Sequence, residues 1–354
     1  YQTYIYSVFL KKFFLTSLIF LCTIVIINFF EEIRFFEKYN TEIYHTIYLS
    51  LMNAPSLMFE IFPFIFLISV KFFYLYLIDK DEIAILHSNG ISNFKIIYHL
   101  AIITMFVGVI ILLFFYSLSS SLKSKYLDIK NSFSNTNEYL AVVNDDGLWI
   151  KEEIDGSSNI IHAKKFNKNN IEDITITQSI LLTDKINIIT AKNADISTKI
   201  WSLENVKIVD KLSDKKYEKL NYISSFDGEI ISNLFSNLNS LNIYQLNILL
   251  SNYSKIGYST TDVNVHLNKL YSLPIFYLLM TILGLLIMMK FTFIKTKFFT
   301  IIVGVSVSVF VYYINYFSSL FGSNETIPIL LSIWLPHLIL FLICILGGLR
   351  INES

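Results

Sequence analysis

Residue types that could do chemistry are few in this sequence and stand far apart. The six histidines follow no metal-ligand spacing, and the two cysteines, Cys22 and Cys344, both lie inside apolar runs. We expect them to be buried, inert thiols. The sequence has no phosphate-binding loop of the G-x-x-x-x-G-K-[ST] kind, no G-x-S-x-G elbow and no H-E-x-x-H pair. It therefore predicts no catalytic centre, no metal site and no cofactor.

The most informative stretch is the polar segment 79–92, which reads D-K-D-E-I-A-I-L-H-S-N-G-I-S. Acidic residues stand where a helix dipole favours them, and the glycine suits a helix end. We therefore predict a short helix beneath the membrane, after which Ser92 caps the next helix. The candidate docking residues are Asp81, Glu82, Ile83, Leu86, His87 and Gly90. These residues alone leave two interpretations open, a helix that docks another protein and a well-capped connector.

The composition of the chain predicts the membrane helices on either side of this segment. The chain of 354 residues is 54% hydrophobic and only 16% charged, whereas a soluble domain carries about a quarter charged residues. The formal net charge is zero, so no basic surplus points to nucleic acid. Six apolar runs are long enough to cross a bilayer. They are Phe13–Phe30, Ser56–Ile78, Ile96–Leu118, Tyr271–Met289, Phe298–Leu320 and Ile327–Leu349.

Polar side chains inside these runs are few. Lys71 interrupts the second run, and we expect it to snorkel towards the cytoplasmic end, with an intramembrane functional lysine as the alternative. Asn28, Asn315 and His337 are predicted to hydrogen-bond packed helices rather than to relay protons. So little buried charge argues against a membrane enzyme or an ion-coupled transporter.

The segment 119–240 differs from the rest, because short β-type runs recur in it between turn signals. This spacing predicts an all-β domain, a sandwich or jelly roll. The basic residues of the short loops place both termini and the loop 79–95 in the cytoplasm, and the β domain outside. From 241 onwards an amphipathic connector leads into the last three runs. We find no internal sequence repeat.

The expected fold class is thus an α-helical polytopic membrane protein with six transmembrane helices and an inserted, jelly-roll-like β domain. Residues 1–118 form the first three helices, 119–240 the β domain, and 241–354 the connector and the last three helices.

The segment Glu82–Ser92 resembles the E-L-x-A-L-R-A-x-G-[VI]-S signature of the LptF/LptG permease family. Ile83 stands in for the leucine, Ile85 and Ser88 depart from the two alanines, and His87 stands where arginine is commoner. The matching positions are Glu82, Leu86, Gly90, Ile91 and Ser92.

The resemblance extends over nearly the whole chain. Pro55–Pro63 resembles the P-x-x-x-Y-E-x-x-P pattern of the LptG branch of the family, with Glu60 at its acidic position. Gly147–Trp149 and Trp201–Val206 resemble motifs of the family's periplasmic β domain, and Ile327–Leu349 resembles its sixth span.

This resemblance implies a lipopolysaccharide exporter of the bacterial inner membrane. It implies an LptF-like permease partner, an LptB-like ATPase dimer that docks on the 79–95 loop, and the periplasmic proteins LptC and LptA. Membrane lipid enters between the permeases and leaves through β-jellyroll domains. Arg34 and Lys38 are the cations available for its phosphorylated head group, with ordinary interfacial anchoring as the alternative.

A membrane scaffold that relays an ATPase cycle without moving lipid is the alternative function. The two functions differ in the first and fifth spans, because a pump needs both to present wide apolar faces, whereas a relay would pack them tightly.

Overall fold

The computed structural model describes residues 1–37, 43–133, 148–154, 157–167, 169–180, 185–210, 213–228, 231, 237–255, 259–291 and 297–352. The chain divides into two compact units. One comprises residues 1–123 and 261–354, and the other residues 124–260.

The first unit is a helical bundle. Its helices before the insertion are α1 (Gln2–Phe36), α2 (Ile43–Asp79), α3 (Glu82–Ser88), α4 (Asn93–Ile110), a π-helical turn (Ile111–Phe115) and the start of α5 (Tyr116–Phe133). Helix α6 (Ile243–Lys255) belongs to the second unit. The bundle resumes with α7 (Thr261–Phe291), α8 (Lys297–Ser323) and α9 (Ile329–Asn352). Among the described residues six helical stretches are long and apolar enough to span a membrane, which confirms the predicted spans and their arrangement of three plus three.

Burial differs widely between these spans. In α2 and α7 the most apolar window is 61% and 78% buried, because the two helices pack against each other at the centre. In α1 and α8 the corresponding shares are only 22% and 17%. The first and fifth spans therefore turn most of their apolar surface away from the bundle.

The three intramembrane polar residues singled out in the sequence do not all bond as expected. Asn28 of α1 donates to the carbonyl of Ser50 at 3.1 Å and accepts from Asn53 at 3.1 Å, which confirms it as a link between packed helices. Asn315 instead donates to Val311, and His337 bonds Ile333, each four residues back in its own helix. The backbone carbonyl four residues back can accept a bond from any polar side chain in a helix. These two bonds therefore do not link Asn315 or His337 to a neighbouring helix.

Lys71 corrects the expectation of snorkelling. Its side chain is 1% exposed, and Nζ donates to the backbone carbonyl of Thr300 in the first turns of α8, 2.7 Å away. Gly304 makes this possible, since a Cβ at that position would overlap the ammonium group. The lysine is covered by α8 and cannot reach the surface of the bundle.

The second unit is built around a six-stranded antiparallel sheet. Its strands are β1 (Leu148–Ile154), β2 (Ser157–Asn167), β3 (Asn170–Ile180), β4 (Lys185–Asp195), β5 (Ile200–Asp210) and β6 (Ser213–Ile223). They follow one another in chain order, as in a meander. The inserted all-β domain is thus confirmed. Its jelly-roll topology stays a prediction, since the described strands include no Greek-key crossover.

A crease crosses this sheet. In β3, Ile171 and Ile174 are both buried although they are three residues apart, and strict alternation would put them on opposite faces. Asp173, between them, has a left-handed φ of 51°. The same pattern of buried apolar ends and two outward polar residues recurs in Ala191–Ala194 of β4 and Leu203–Val206 of β5. These four-residue segments, which we call corner tetrads, lie side by side, so β3, β4 and β5 change face along one line.

The sheet bends far enough at this crease for its edges to meet. In a flat sheet β1 and β6 would be roughly 24 Å apart. Instead Tyr222 of β6 donates to Glu152 of β1 at 2.7 Å, and burial, aided by this bond, raises the pKa of Tyr222. Glu152 also accepts from Ser224 at 2.9 Å and from the backbone of Ser225 at 3.0 Å. These three donors compensate a carboxylate that is only 3% exposed.

Candidate functional site

The candidate docking helix is formed as the sequence predicts. Helix α3 begins at Glu82 and ends at Ser88, and Gly90 follows with a left-handed φ of 72°. This turn lets the backbone N–H of Ile91 bond Leu86 at 3.0 Å and closes the helix end. Asp81 precedes the helix with a φ of 55° and caps it through no side-chain bond. Ser92 has the extended backbone of a capping residue before α4 but likewise makes no side-chain capping bond.

The two apolar candidates for docking, Ile83 and Leu86, lie on the inward side of α3. Leu86 is 9% exposed and packs into the protein's own bundle, and Ile83, three residues earlier, is half-buried on the same side. Ile85 is 57% exposed. An apolar contact with a partner would therefore fall to Ile85 rather than to Leu86. His87 is exposed, and its Nε2 lies 3.0 Å from the side-chain oxygen of Asn93.

Glu82 is held from within the protein. The hydroxyl of Tyr4, in the first turn of α1, donates to its Oε1 at 2.6 Å. The other carboxylate oxygen accepts no hydrogen bond from the residues that the structure describes. Sequence analysis did not find Tyr4, because nothing in the sequence relates residues 78 positions apart.

Of the two candidate head-group cations, the structure describes one. Arg34 is exposed in the last turn of α1, whereas Lys38 lies outside the described residues. The structure adds a cation that sequence analysis missed. Lys123 of α5 donates to Asn53 at 2.8 Å, and Asn53 in turn bonds Asn28. The third span continues as one helix beyond the apolar run, which brings this lysine to the junction of α1 and α2.

The exposed faces of α1 and α8 are apolar and rich in aromatic rings. On α8, Phe310, Tyr313 and Phe317 follow helical spacing, with 67%, 53% and 54% exposure, and the rings of Tyr313 and Phe317 stack. The exposed apolar residues of α1 include Phe14, Leu15, Leu18, Ile19 and Phe30. Surfaces of this kind can contact acyl chains or another apolar helix, but they carry no group for chemistry.

Reactive groups are sparse in the described part of the chain. No group of three or more His, Cys, Asp or Glu residues there could hold a metal ion. Cys344 is buried as expected, but Cys22 is exposed on α1, so one of the two thiols was placed wrongly. The cause is the low burial of α1 as a whole.

Comparison with known proteins agrees with the bundle and its insertion. No curated protein matches the sequence at a significant level. Residues 3–350 match the family described as the lipopolysaccharide export system permease LptF/LptG. The match covers all six apolar helices and the inserted sheet between them. The chain therefore belongs to the LptF/LptG family of lipopolysaccharide export permeases, as a multi-pass subunit of a transport system of the inner membrane.

Proposed function

We propose that this chain is the LptG-type permease of an ATP-driven exporter, which takes lipopolysaccharide from the inner membrane and passes it to a periplasmic β-jellyroll bridge. Its partners would be an LptF-like permease, an LptB-like ATPase dimer, LptC and LptA. Both termini and the loop 79–95 lie in the cytoplasm in this proposal, and the β domain lies in the periplasm.

The observation that carries the proposal is the low burial of α1 and α8. A pump must leave the first and fifth spans free to line a lipid path with a partner, whereas a scaffold that only relays force would bury them in its own bundle. Aromatic and aliphatic side chains on these spans suit acyl chains, which demand an apolar lining and no hydrogen bonds.

The head group needs cations at the outer end of the same path. Arg34 is exposed there at the end of α1, and a second cation, Lys123, is bonded to Asn53 of the Asn28–Asn53 link. Phosphate oxygens accept strong, charge-assisted hydrogen bonds from such groups.

Photocrosslinking tests the proposal in the assembled complex. A crosslinking amino acid replaces Phe310 on α8 in one variant and Leu346 on α9 in the other, since both residues are 67% exposed. We expect lipopolysaccharide adducts at 310 that fall when ATP is added, while position 346 gives only background. Equal labelling at the two positions, in a complex that still hydrolyses ATP, would instead support the scaffold.

The choice of LptG over LptF rests on the motif around Glu60, which is exposed on α2. Coexpression with each type of partner decides it. An LptG-type chain should form a stable complex with an LptF-like permease and none with an LptG-like one.

A further inference from the structure

The first turns of α1 are joined to two other helices through tyrosine hydroxyls. Tyr4 donates to Glu82 of α3 at 2.6 Å, and Tyr6 pairs with Nδ1 of His99 in α4 at 3.0 Å. Tyr4 and Tyr6, in the same part of α1, therefore make similar phenol contacts, one with α3 and the other with α4. Of the two, only the Tyr4 contact reaches the candidate docking helix.

The Tyr4–Glu82 bond is of a strong kind. An O–H···O⁻ distance of 2.6 Å is that of a charge-assisted hydrogen bond. It uses Oε1 alone, and Oε2 accepts nothing from the described residues. Oε2 is also buried, so a cation of a docked protein could reach this carboxylate only after the side chains that cover the oxygen move.

Helix α3 is short, and its other attachments are to α2 and to α4, the latter through His87, whose Nε2 lies 3.0 Å from the side-chain oxygen of Asn93. It comprises seven residues, of which Leu86 is the one buried against the bundle. Its neighbour in the bundle is α2, from which a single turn separates it. The side-chain bond to α1 therefore adds a third helix to which a displacement of α3 can be passed on.

We propose that Tyr4 is a positioning residue that ties the docking helix to α1, so that movement imposed on Glu82 by the ATPase reaches the first span. This inference rests on the proposed function, because it takes α3 as the docking helix and α1 as a lipid-facing span. The end of α1 that carries Tyr4 is packed against the bundle through Ile5 and Phe9, both fully buried, whereas only 22% of the helix's most apolar window is buried. A displacement of this end is therefore passed on to a span that is mostly exposed.

The test compares Tyr4→Phe with Tyr6→Phe. Each variant removes one hydroxyl from the same helix and keeps its ring. In the assembled complex, Tyr4→Phe should lower the lipopolysaccharide released per ATP hydrolysed by about threefold or more, the factor expected for one lost hydrogen bond. The amount of copurified ATPase should change less than twofold, because Glu82 keeps its charge. Tyr6→Phe should leave the ratio unchanged.

A second measurement needs no partner and separates this inference from the proposed function. Amide hydrogen exchange of residues 82–88 is followed in the full chain in lipid nanodiscs. Tyr4→Phe should speed this exchange by about threefold or more, and Tyr6→Phe should not. Unchanged exchange in Tyr4→Phe overturns the tie, whatever the chain exports. Faster exchange together with no ATPase binding by the unmodified chain would keep the tie and reject the proposed function. Faster exchange with an unchanged ratio of lipid to ATP would show that the tie does not transmit movement and would overturn the positioning role.

Discussion

Nζ of Lys71 lies 2.7 Å from the backbone oxygen of Thr300 and ties α2 to the beginning of α8. The ammonium group is buried, and the glycine one turn further along α8 leaves it room. Helix α8 is mostly exposed, but its far end is held as well, because Ser318 donates to the backbone carbonyl of Ser332 in α9 at 2.6 Å. Polar contacts near both ends therefore fix a helix whose apolar face between them is largely exposed.

Gly304→Ala should destabilise the bundle by about 1–3 kcal/mol, because the added methyl group overlaps the lysine. Gly348→Ala is the matched control, since a Cβ there meets only Phe94 at ordinary contact distance of 3.9 Å. Thermal unfolding in detergent measures both. Lys71→Ala should relieve the defect of Gly304→Ala, and a double variant no more stable than Gly304→Ala would contradict the proposed overlap.

Glu82→Lys should leave the protein inserted in the membrane but separate it from its ATPase. Losing a charge-assisted contact at such an interface costs about 2–5 kcal/mol, which weakens binding well over tenfold. Copurification of the ATPase with the tagged permease is the measurement. Lys80→Ala, in the turn just before α3, should change little. Normal recovery of the ATPase with Glu82→Lys would make α3 a mere connector.

The double variant Arg34→Glu and Lys38→Glu should weaken retention of lipopolysaccharide while the ATPase stays bound. Reversing two cations replaces attraction for the phosphorylated head group with repulsion. Crosslinking of lipid to the outer end of α1 gives the readout. Unchanged crosslinking would leave both residues with no more than a role in interfacial anchoring.

The proposed orientation can be tested with single cysteines in a variant in which Cys22 and Cys344 are replaced. A membrane-impermeant thiol reagent added to intact spheroplasts should label a cysteine at Ser157 of β2 and spare one at the exposed Ser88 of α3. The basic residues of the short loops are the reason for this expectation. The opposite labelling pattern would reverse the proposed topology.

Glu152→Ala should loosen the β unit by about 2–4 kcal/mol, because it leaves Tyr222 and Ser224 without their buried acceptor. Glu204→Ala is the control. Its partner Lys219 lies 2.9 Å away but on the surface, where such a pair contributes less than about 1 kcal/mol. Proteolysis of the β unit in the full-length protein under increasing urea compares the two. Equal resistance would mean that the Glu152 contacts do not hold the sheet edges together.

The spans, the short helix and the presence of strands could all be predicted from the sequence, because each leaves a local pattern. Apolar length identifies a span wherever it packs, and Gly90 marks the end of α3 by its conformation alone. Which face of each element is buried was harder to predict. Leu86 and Ile85 are equally apolar and adjacent, so only the position of α2 decides which of them is covered.

Contacts between distant residues could not be derived in this way. Tyr4 and Glu82, or Lys71 and Thr300, meet because helices far apart in sequence come together. The corner tetrads are a different case, because their signal is local and was overlooked. Ile174–Thr177 alternates between apolar and polar residues as a strand should, but at Asp173 the alternation shifts by one residue. Because of this shift, the four-residue pattern shared by β3, β4 and β5 was not recognised in the sequence.

The corner tetrads allow the number of strands in the sheet to change by a whole hairpin. Their outward residues Glu172, Asn193 and Glu204 form a row of partners, which continues to Lys165 of β2 and Lys219 of β6. Removing the hairpin β3–β4 as a unit would bring β2 beside β5 in the same antiparallel sense, with Lys165 opposite Glu204. The apolar ends of the tetrads would meet as before, with Ala163 opposite Val206. A sheet built in this way can lose the hairpin β3–β4 and keep its bend, because β5 carries its own copy of the corner and the row of partners stays continuous.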